Sequence, residues 1–198
     1  AGLPPTEHVM YMRGMAVEAE AGGKVLADVV ASYFDRTYKH YCSHRQTPSS
    51  GNLDHPAVVQ RGRLIYFSHP IFTQYQTRAP RWCKQLVLNA LARLIPEPLV
   101  TLKAPTSAIA TLNRQPHRSL MVLHLLHYVP ERRGEQFDVI EDVLPIYEIP
   151  VSIRADGAVQ RVTCVPEGKA LDFEVGDGRV RFEVPAVEGH QMVEVVVT

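Results

Sequence analysis

An excess of charge of either sign is missing from this 198-residue sequence: 21 basic and 21 acidic side chains cancel at neutral pH. With no basic run and no acidic tail, we expect no nucleic-acid partner and no charge-driven binding to a membrane. No stretch reaches the ~20 apolar residues that a spanning helix needs. The longest candidate, Leu120–Val129, is interrupted by His124 and His127. The sequence therefore predicts neither a nucleic-acid-binding nor a membrane protein.

Cysteine is also scarce. Cys42, Cys83 and Cys164 are odd in number and widely spaced, which excludes a disulfide framework and favours reduced thiols in a cytoplasmic protein. The N-terminal stretch Ala1–Pro5 has no basic region followed by an apolar core, so we expect no secretory signal. Nothing in the motifs calls for a cofactor, and we expect none.

What is present is organised around the stretch Arg63–Ile95, which reads as a strand (Leu64–Phe67), a Ser-His-Pro turn, a polar loop and a helix. Pro80 suits the first position of that helix, and Pro96 ends it. Its apolar residues recur at three- and four-residue spacing and so share one face: Trp82, Leu86, Val87, Ala90, Leu91 and Leu94. This order of elements predicts an α/β unit whose helix covers a sheet.

The segments before this unit predict short strands and loops. Val9–Val17 and Lys24–Phe34 are interpreted as two strands separated by a Gly-Gly turn, although a short helix fits the second segment nearly as well. The polar, histidine-rich segment Asp35–His55 ends in a loop. Ala57–Val59 then leads through Gly62 into the apolar strand as a hairpin.

His69 follows the apolar strand at the end where open α/β sheets bind ligands. The His-Pro pair resembles the strand-His-Pro-Glu signature of class I glutamine amidotransferases. Here Ile71 stands in place of the glutamate, and the sequence has no Gly-x-Cys-x-Gly elbow, so two of the parts that activate a thiolate are missing. The sequence favours a histidine that caps a strand end over a catalytic one.

His40, Cys42 and His44 alternate along the chain. In an extended strand they would point to the same side, where two imidazoles and a thiol could meet one zinc ion. The sequence offers no Cys-x-x-Cys or His-x-x-x-His partner, and a surface or interface loop is the alternative. Four interleaved aromatic residues favour the interface version: Tyr33, Phe34, Tyr38 and Tyr41. We therefore assign no metal site.

The second half predicts an all-β sandwich, with turn signals at Asp156-Gly157 and Gly176–Gly178. The expected strands are Ile109–Leu112, Ser119–Val129, Pro145–Ile153, Val159–Val165, Leu171–Val175, Arg179–Val184 and Met192–Val197. His124 and His127 would face opposite ways within their strand. Glu141 and Asp142 are interpreted as solvated loop charge, because adjacent strand residues cannot face each other across a cleft.

Several motifs together resemble the C-terminal part of bacterial glycoside hydrolases of the family 42 β-galactosidase type. They are Gly62–Phe67, Pro70–Phe72, Trp82–Leu91, Leu112–Gln115, Leu123–Gly134, Leu144–Tyr147, Pro166–Gly168 and Val184–Val193. The resemblance implies a partial flavodoxin-like or amidotransferase-like trimerisation domain over residues 1–104 and a C-terminal β-sandwich over residues 105–198. It also implies a trimer or other homo-oligomer, and a catalytic barrel that this sequence lacks, so no catalytic residue is assigned.

Three interpretations stay open at this point. The first is a non-catalytic assembly region of a glycoside hydrolase. The second is a stand-alone hydrolytic or metal-binding protein that uses the region around His40, Cys42, His44 and His69. The third is a carbohydrate-binding module, for which the second half offers five aromatic residues: Tyr128, Phe137, Tyr147, Phe173 and Phe182. The third is disfavoured because sugar-stacking rings must be exposed, whereas Phe182 alternates as a core residue.

Overall fold

The computed structural model describes residues 2–43 and 47–198, and these residues form two compact units that divide between Glu97 and Pro98. Unit 1 holds strands β1 (Lys24–Ser32), β2 (Ser49–Arg61) and β3 (Leu64–Phe67) and helices α1 (Ile71–Arg78) and α2 (Arg81–Leu94). Unit 2 holds β4 (Val100–Leu102), β5 (Ala108–Gln115), β6 (Leu120–His127), β7 (Glu131–Arg132), β8 (Asp138–Val139), β9 (Ile146–Arg154), β10 (Val159–Val165), β11 (Lys169–Ala170), β12 (Phe173–Gly176), β13 (Arg179–Val187) and β14 (Gly189–Val197).

The predicted hairpin in unit 1 is confirmed. β2 and β3 pair antiparallel, with Val58 opposite Phe67 and Arg61 opposite Leu64. Gly62, at the turn, has a φ of 56°, a left-handed conformation that a residue without a side chain adopts without strain. β1 pairs with the other edge of β2, so the sheet order is β1-β2-β3.

The α/β, flavodoxin-like fold class predicted for the first half is wrong. Every strand pair of the described residues is antiparallel. A flavodoxin-like sheet needs a helix that crosses over to a parallel strand. Here the chain leaves α2 and enters β4, which pairs antiparallel with β9 in unit 2. A strand followed by a helix is therefore present, as the sequence predicts, but the helix does not lead to a parallel strand. The protein is mostly β.

Helix α2 begins and ends where the sequence predicts. Pro80 precedes it with extended backbone angles, and its carbonyl accepts from the Cys83 N–H at 3.0 Å. Cys83 and Ala90 are buried, whereas Leu91, predicted on the packed face, is 45% exposed. The helix therefore buries a narrower stripe than its apolar pattern indicates.

Three other expectations for unit 1 are wrong. Residues 71–78, expected to be a loop, form α1, and β2 begins at Ser49 inside the expected polar loop. Val9–Val17 forms no strand: Gln74, which is 1% exposed, accepts from the Tyr11 N–H and donates to the Val9 carbonyl, both at 2.9 Å. A buried side chain thus supplies the hydrogen bonds that a neighbouring strand would otherwise make.

Unit 2 contains two larger antiparallel sheets packed around one core, and β7 and β8 form a separate two-stranded sheet. One sheet has the order β11-β10-β14-β6-β5 and the other β12-β13-β9-β4. Residues such as Leu123, Ile153, Val180 and Val193, from both sheets, are fully buried between them. β4 lies before the predicted boundary at residue 104 but pairs within this unit. Of the helices that the structure describes, none has the length and apolarity to cross a bilayer.

Candidate functional site

The densest cluster of chemically versatile side chains in unit 1 surrounds His69, directly after β3. His69 Nδ1 lies 2.9 Å from Ser68 Oγ, and its ring stacks on that of His55 with 6.0 Å between centroids. His55 Nδ1 in turn lies 3.1 Å from Asp54 Oδ2. A carboxylate, two imidazoles and a hydroxyl therefore meet at this end of the sheet, and we call Asp54, His55, Ser68 and His69 the histidine cluster.

Local backbone structure holds this cluster in place. The Ser68 N–H donates to the Ala57 carbonyl at 2.9 Å, which extends the β2–β3 pairing beyond β3 and brings His69 beside His55. Met15 N–H donates to the Ser68 carbonyl, also at 2.9 Å. Gly14 passes so close that a Cβ there would lie 2.7 Å from the His69 ring. Only glycine allows this approach of the N-terminal segment to the cluster.

The electrostatics of the cluster favour a neutral imidazole. Burial is the larger cause that lowers the pKa of His69, because it disfavours the charged imidazolium. The neighbouring His55 lowers this pKa further, because it disfavours a second positive charge nearby. Ser68 is only 4% exposed, so a substrate cannot reach its hydroxyl. A hydrolytic nucleophile has to contact its substrate. The geometry therefore favours the structural interpretation of His69, a residue that orders the end of β3.

Two of the three cysteines are poor nucleophiles. Cys83 is fully buried, and burial raises the pKa of its thiol to about 11. Cys164 is 5% exposed, and burial, assisted by the Glu167 carboxylate, raises its pKa as well. Because the thiolate is the reactive form, neither side chain can supply a cysteine nucleophile near neutral pH.

The structure gives no support to the zinc hypothesis at His40, Cys42 and His44. His44 lies outside the described residues. Around His40 the chain bends rather than extending, because the Thr37 N–H donates to the His40 carbonyl at 2.8 Å. The predicted same-side alignment required a strand, which residues 38–43 do not form. Within residues 2–43 and 47–198, no group of three or more His, Cys, Asp or Glu side chains could hold a metal ion.

The two histidines of β6 face opposite sides of the sheet, as expected. His127 is 4% exposed; its Nδ1–H donates to the Leu144 carbonyl at 2.9 Å, and Ser107 Oγ lies 3.0 Å from its Nε2. His124 lies on the outer face, 3.2 Å from His190 between ring nitrogens. His127 is thus a buried anchor for the loop that contains Leu144.

The carboxylates and aromatic rings of unit 2 do not form a catalytic cleft or a sugar platform. Glu141 pairs with Arg133 at 2.6 Å in a loop. A groove of about 730 Å³ runs over β4, β9, β12 and β13, but of its two aromatic residues Phe182 is buried and Phe173 is only half-exposed. A sugar-stacking surface needs an exposed ring face. Two other aromatic residues, Phe137 and Tyr147, are 61% and 66% exposed but lie outside this groove.

Sequence reasoning missed Gln74 and the pairing of His55 with His69. The three-residue spacing between Ile71 and Gln74 is consistent with one helix face, and both residues lie on the buried side of α1. The His55–His69 contact had no local signal, because the two residues meet only when β2 pairs with β3.

Comparison with solved structures identifies a similarity to a glycoside hydrolase chain. The whole chain superimposes, with a TM-score of 0.94 and 32% sequence identity, on part of α-L-fucosidase isoenzyme 2 from Paenibacillus thiaminolyticus. The chain spans 30% of the length of that protein. No family model and no curated protein matches. The chain therefore has the fold of one portion of a glycoside hydrolase chain.

Proposed function

We propose that this chain is a non-catalytic accessory region of a glycoside hydrolase, whose catalytic barrel lies on another part of the parent protein. The match over the full length of this chain to 30% of an α-L-fucosidase carries the proposal. Two observations support it: the buried Ser68 hydroxyl in the histidine cluster, and the buried, protonated thiols of Cys83 and Cys164. A cytoplasmic location, with these thiols reduced, is part of the proposal.

The name of the matching protein makes α-L-fucosides the first candidate substrates of the parent enzyme. β-Galactosides are the second, because the sequence motifs resemble family 42 β-galactosidases. In either enzyme the accessory region would contact the barrel or other copies of itself. Contacts between copies would form the predicted homo-oligomer.

A chimera tests this function. The matching portion of the Paenibacillus enzyme is replaced by this chain, and hydrolysis of chromogenic α-L-fucoside and β-galactoside is measured. We expect the chimera to retain kcat/KM for the fucoside within about tenfold, because a region that only supports the barrel is exchangeable between similar folds. The Paenibacillus enzyme without the portion should lose most of its activity.

This chain alone should hydrolyse neither substrate. Hydrolysis by the isolated chain, or a folded chimera without activity, would contradict the accessory role.

A further inference from the structure

The chain exposes more surface than its mass accounts for. Its accessible surface is 13719 Å² for 22.2 kDa. A globular monomer of this mass would expose about 9,400 Å², and two separate domains of half that mass about 11,300 Å². The chain therefore exposes roughly 2,400 Å² more surface than two separate compact domains would.

Most of the exposed large hydrophobic side chains belong to unit 1. Among the described residues its buried hydrophobic side chains are only Val58, Ile71, Cys83 and Ala90, against eighteen in unit 2. Fourteen of its large hydrophobic side chains are exposed. Exposed apolar surface beyond what a monomer normally shows marks an interaction site, so unit 1 is expected to bind a partner.

One stripe of helix α2 has the pattern of a helix-packing face. Arg81, Lys84, Leu88, Leu91 and Ile95 follow one another at spacings of three and four residues, which places them on one side of the helix. Leu88 and Leu91 are each 45% exposed and Ile95 is 54% exposed. We call these five residues the α2 stripe. It lies beside the buried stripe that contains Cys83 and Ala90, so α2 has a second apolar face without a partner in the described residues.

The sequence segment that contains the α2 stripe is positively charged. From His55 to Pro96 the sequence contains six Arg or Lys residues and no Asp or Glu. No ion pair within the described residues joins Arg81 or Lys84 to a carboxylate. Helix α2 of another copy would place further cations and no anion against the stripe. The most complementary partner surface is therefore apolar and acidic.

Unit 2 carries such a surface. Residues 135–148, which we call the acidic segment, contain five carboxylates and no Arg or Lys. Five hydrophobic side chains of the segment are 44–66% exposed: Phe137, Ile140, Val143, Leu144 and Tyr147. Asp138 and Glu141 pair with Arg132 and Arg133. Within the described residues no ion pair engages the three other carboxylates, Glu135, Asp142 and Glu148.

We propose that the α2 stripe of one copy binds the acidic segment of a second copy of this chain. The two surfaces are complementary in charge and both are apolar, and both are exposed in the single chain. The two units are also complementary in net charge. Unit 1 has eleven basic and seven acidic residues, whereas unit 2 has ten basic and fourteen acidic residues. A head-to-tail contact of this kind joins different surfaces of identical chains and closes into a ring or extends into a filament.

The proposal rests on the accessory role described above, because it names the contact through which that region would assemble. The two can fail separately. The chimera reports on the hydrolase, whereas the association of this chain with itself reports on the contact. An active chimera with a monomeric accessory chain would overturn only the contact.

Charge reversal tests the contact. We expect Lys84→Glu and Asp142→Lys each to raise the Kd of self-association about tenfold or more, because each places like charges across the interface. The double variant K84E/D142K should recover affinity, because it restores an opposite pair. Sedimentation equilibrium at about 50 mM and 500 mM salt measures the Kd, and circular dichroism confirms that each variant is folded.

Matched controls reverse exposed charges elsewhere. Lys24→Glu lies at the start of β1, outside the positively charged segment, and Glu183→Lys lies on β13. Both should leave the Kd within about twofold of the wild-type value. A wild-type chain that is monomeric at about 100 μM would overturn the proposal. A double variant whose Kd is no lower than that of the single variants would also overturn it. So would evidence that the acidic segment binds the catalytic portion of a glycoside hydrolase in place of a second copy.

Discussion

Single polar side chains decide how the N-terminal segment of unit 1 is held. Gln74 is the main example, because its amide makes the hydrogen bonds to Val9 and Tyr11 that a neighbouring strand would otherwise make. Its helix, α1, has few other buried side chains. The histidine cluster acts in a similar way, since the segment at Gly14 and Met15 packs on Ser68 and His69.

Replacing Gln74 with leucine should destabilise unit 1 by about 1–3 kcal/mol, because it removes both hydrogen bonds to the Val9–Tyr11 backbone within a buried site. Trp82 is the one tryptophan of the sequence and lies in α2, so its fluorescence during urea unfolding reports on unit 1. Gln76→Leu, on the exposed side of α1, is the matched control and should change the free energy of unfolding by less than about 0.5 kcal/mol. Equal effects of the two substitutions would contradict the role of Gln74.

The stability of unit 1 should fall as the pH is lowered below about 6.5. Burial, and secondly His55, lower the pKa of His69 in the folded chain below the ordinary histidine value of 6.5. The unfolded chain therefore takes up the proton first as the pH falls, and this contribution to stability is full above pH 6.5 and declines below it. Below the folded pKa of His69 the decline stops.

The measurement is the urea midpoint of Trp82 fluorescence between pH 5 and pH 8. His69→Gln should reduce the difference between the two ends, whereas His117→Gln, an exposed position in unit 2, should not. An unchanged pH profile in H69Q would show that His69 does not carry the effect.

At the level of secondary-structure elements, β6 organises the sandwich. It pairs with β5 on one side and β14 on the other, and Leu123 at its centre is fully buried. The loop after it is anchored through the bond of His127 to Leu144, which also fixes one apolar residue of the acidic segment.

Leu123→Ala should therefore destabilise unit 2 by about 2–5 kcal/mol, because it removes buried methyl groups and leaves a cavity between the sheets. Ile109→Ala, on the neighbouring strand β5, removes a side chain that is 62% exposed and should have an effect below about 0.5 kcal/mol. Thermal unfolding followed by circular dichroism in the β region compares the two. A small effect of the Leu123 substitution would mean that the inter-sheet core relaxes around the cavity.

For the whole molecule, the contrast between a well-packed unit 2 and a thinly packed unit 1 leads us to predict that the stability of unit 1 depends on assembly. If copies associate through the α2 stripe, the folded state of unit 1 is favoured by mass action. The Trp82 unfolding midpoint should then rise as the protein concentration is increased from about 1 to 100 μM, and K84E should abolish the rise. A midpoint that is independent of concentration would show that unit 1 is stable without a partner.

The sequence alone determined the elements that depend on neighbouring residues: the hairpin at Gly62, helix α2 between its prolines, and the alternating strands of unit 2. It could not determine how these elements combine. Whether the helix after β3 crosses over to a parallel strand depends on contacts far along the chain, and the fold class was therefore predicted wrongly. The burial of Gln74, the contact of His55 with His69 and the exposure of Leu91 likewise follow from which segments pack together. Only the tertiary structure decides these, because burial and long-range hydrogen bonds are properties of the assembled chain and not of local sequence.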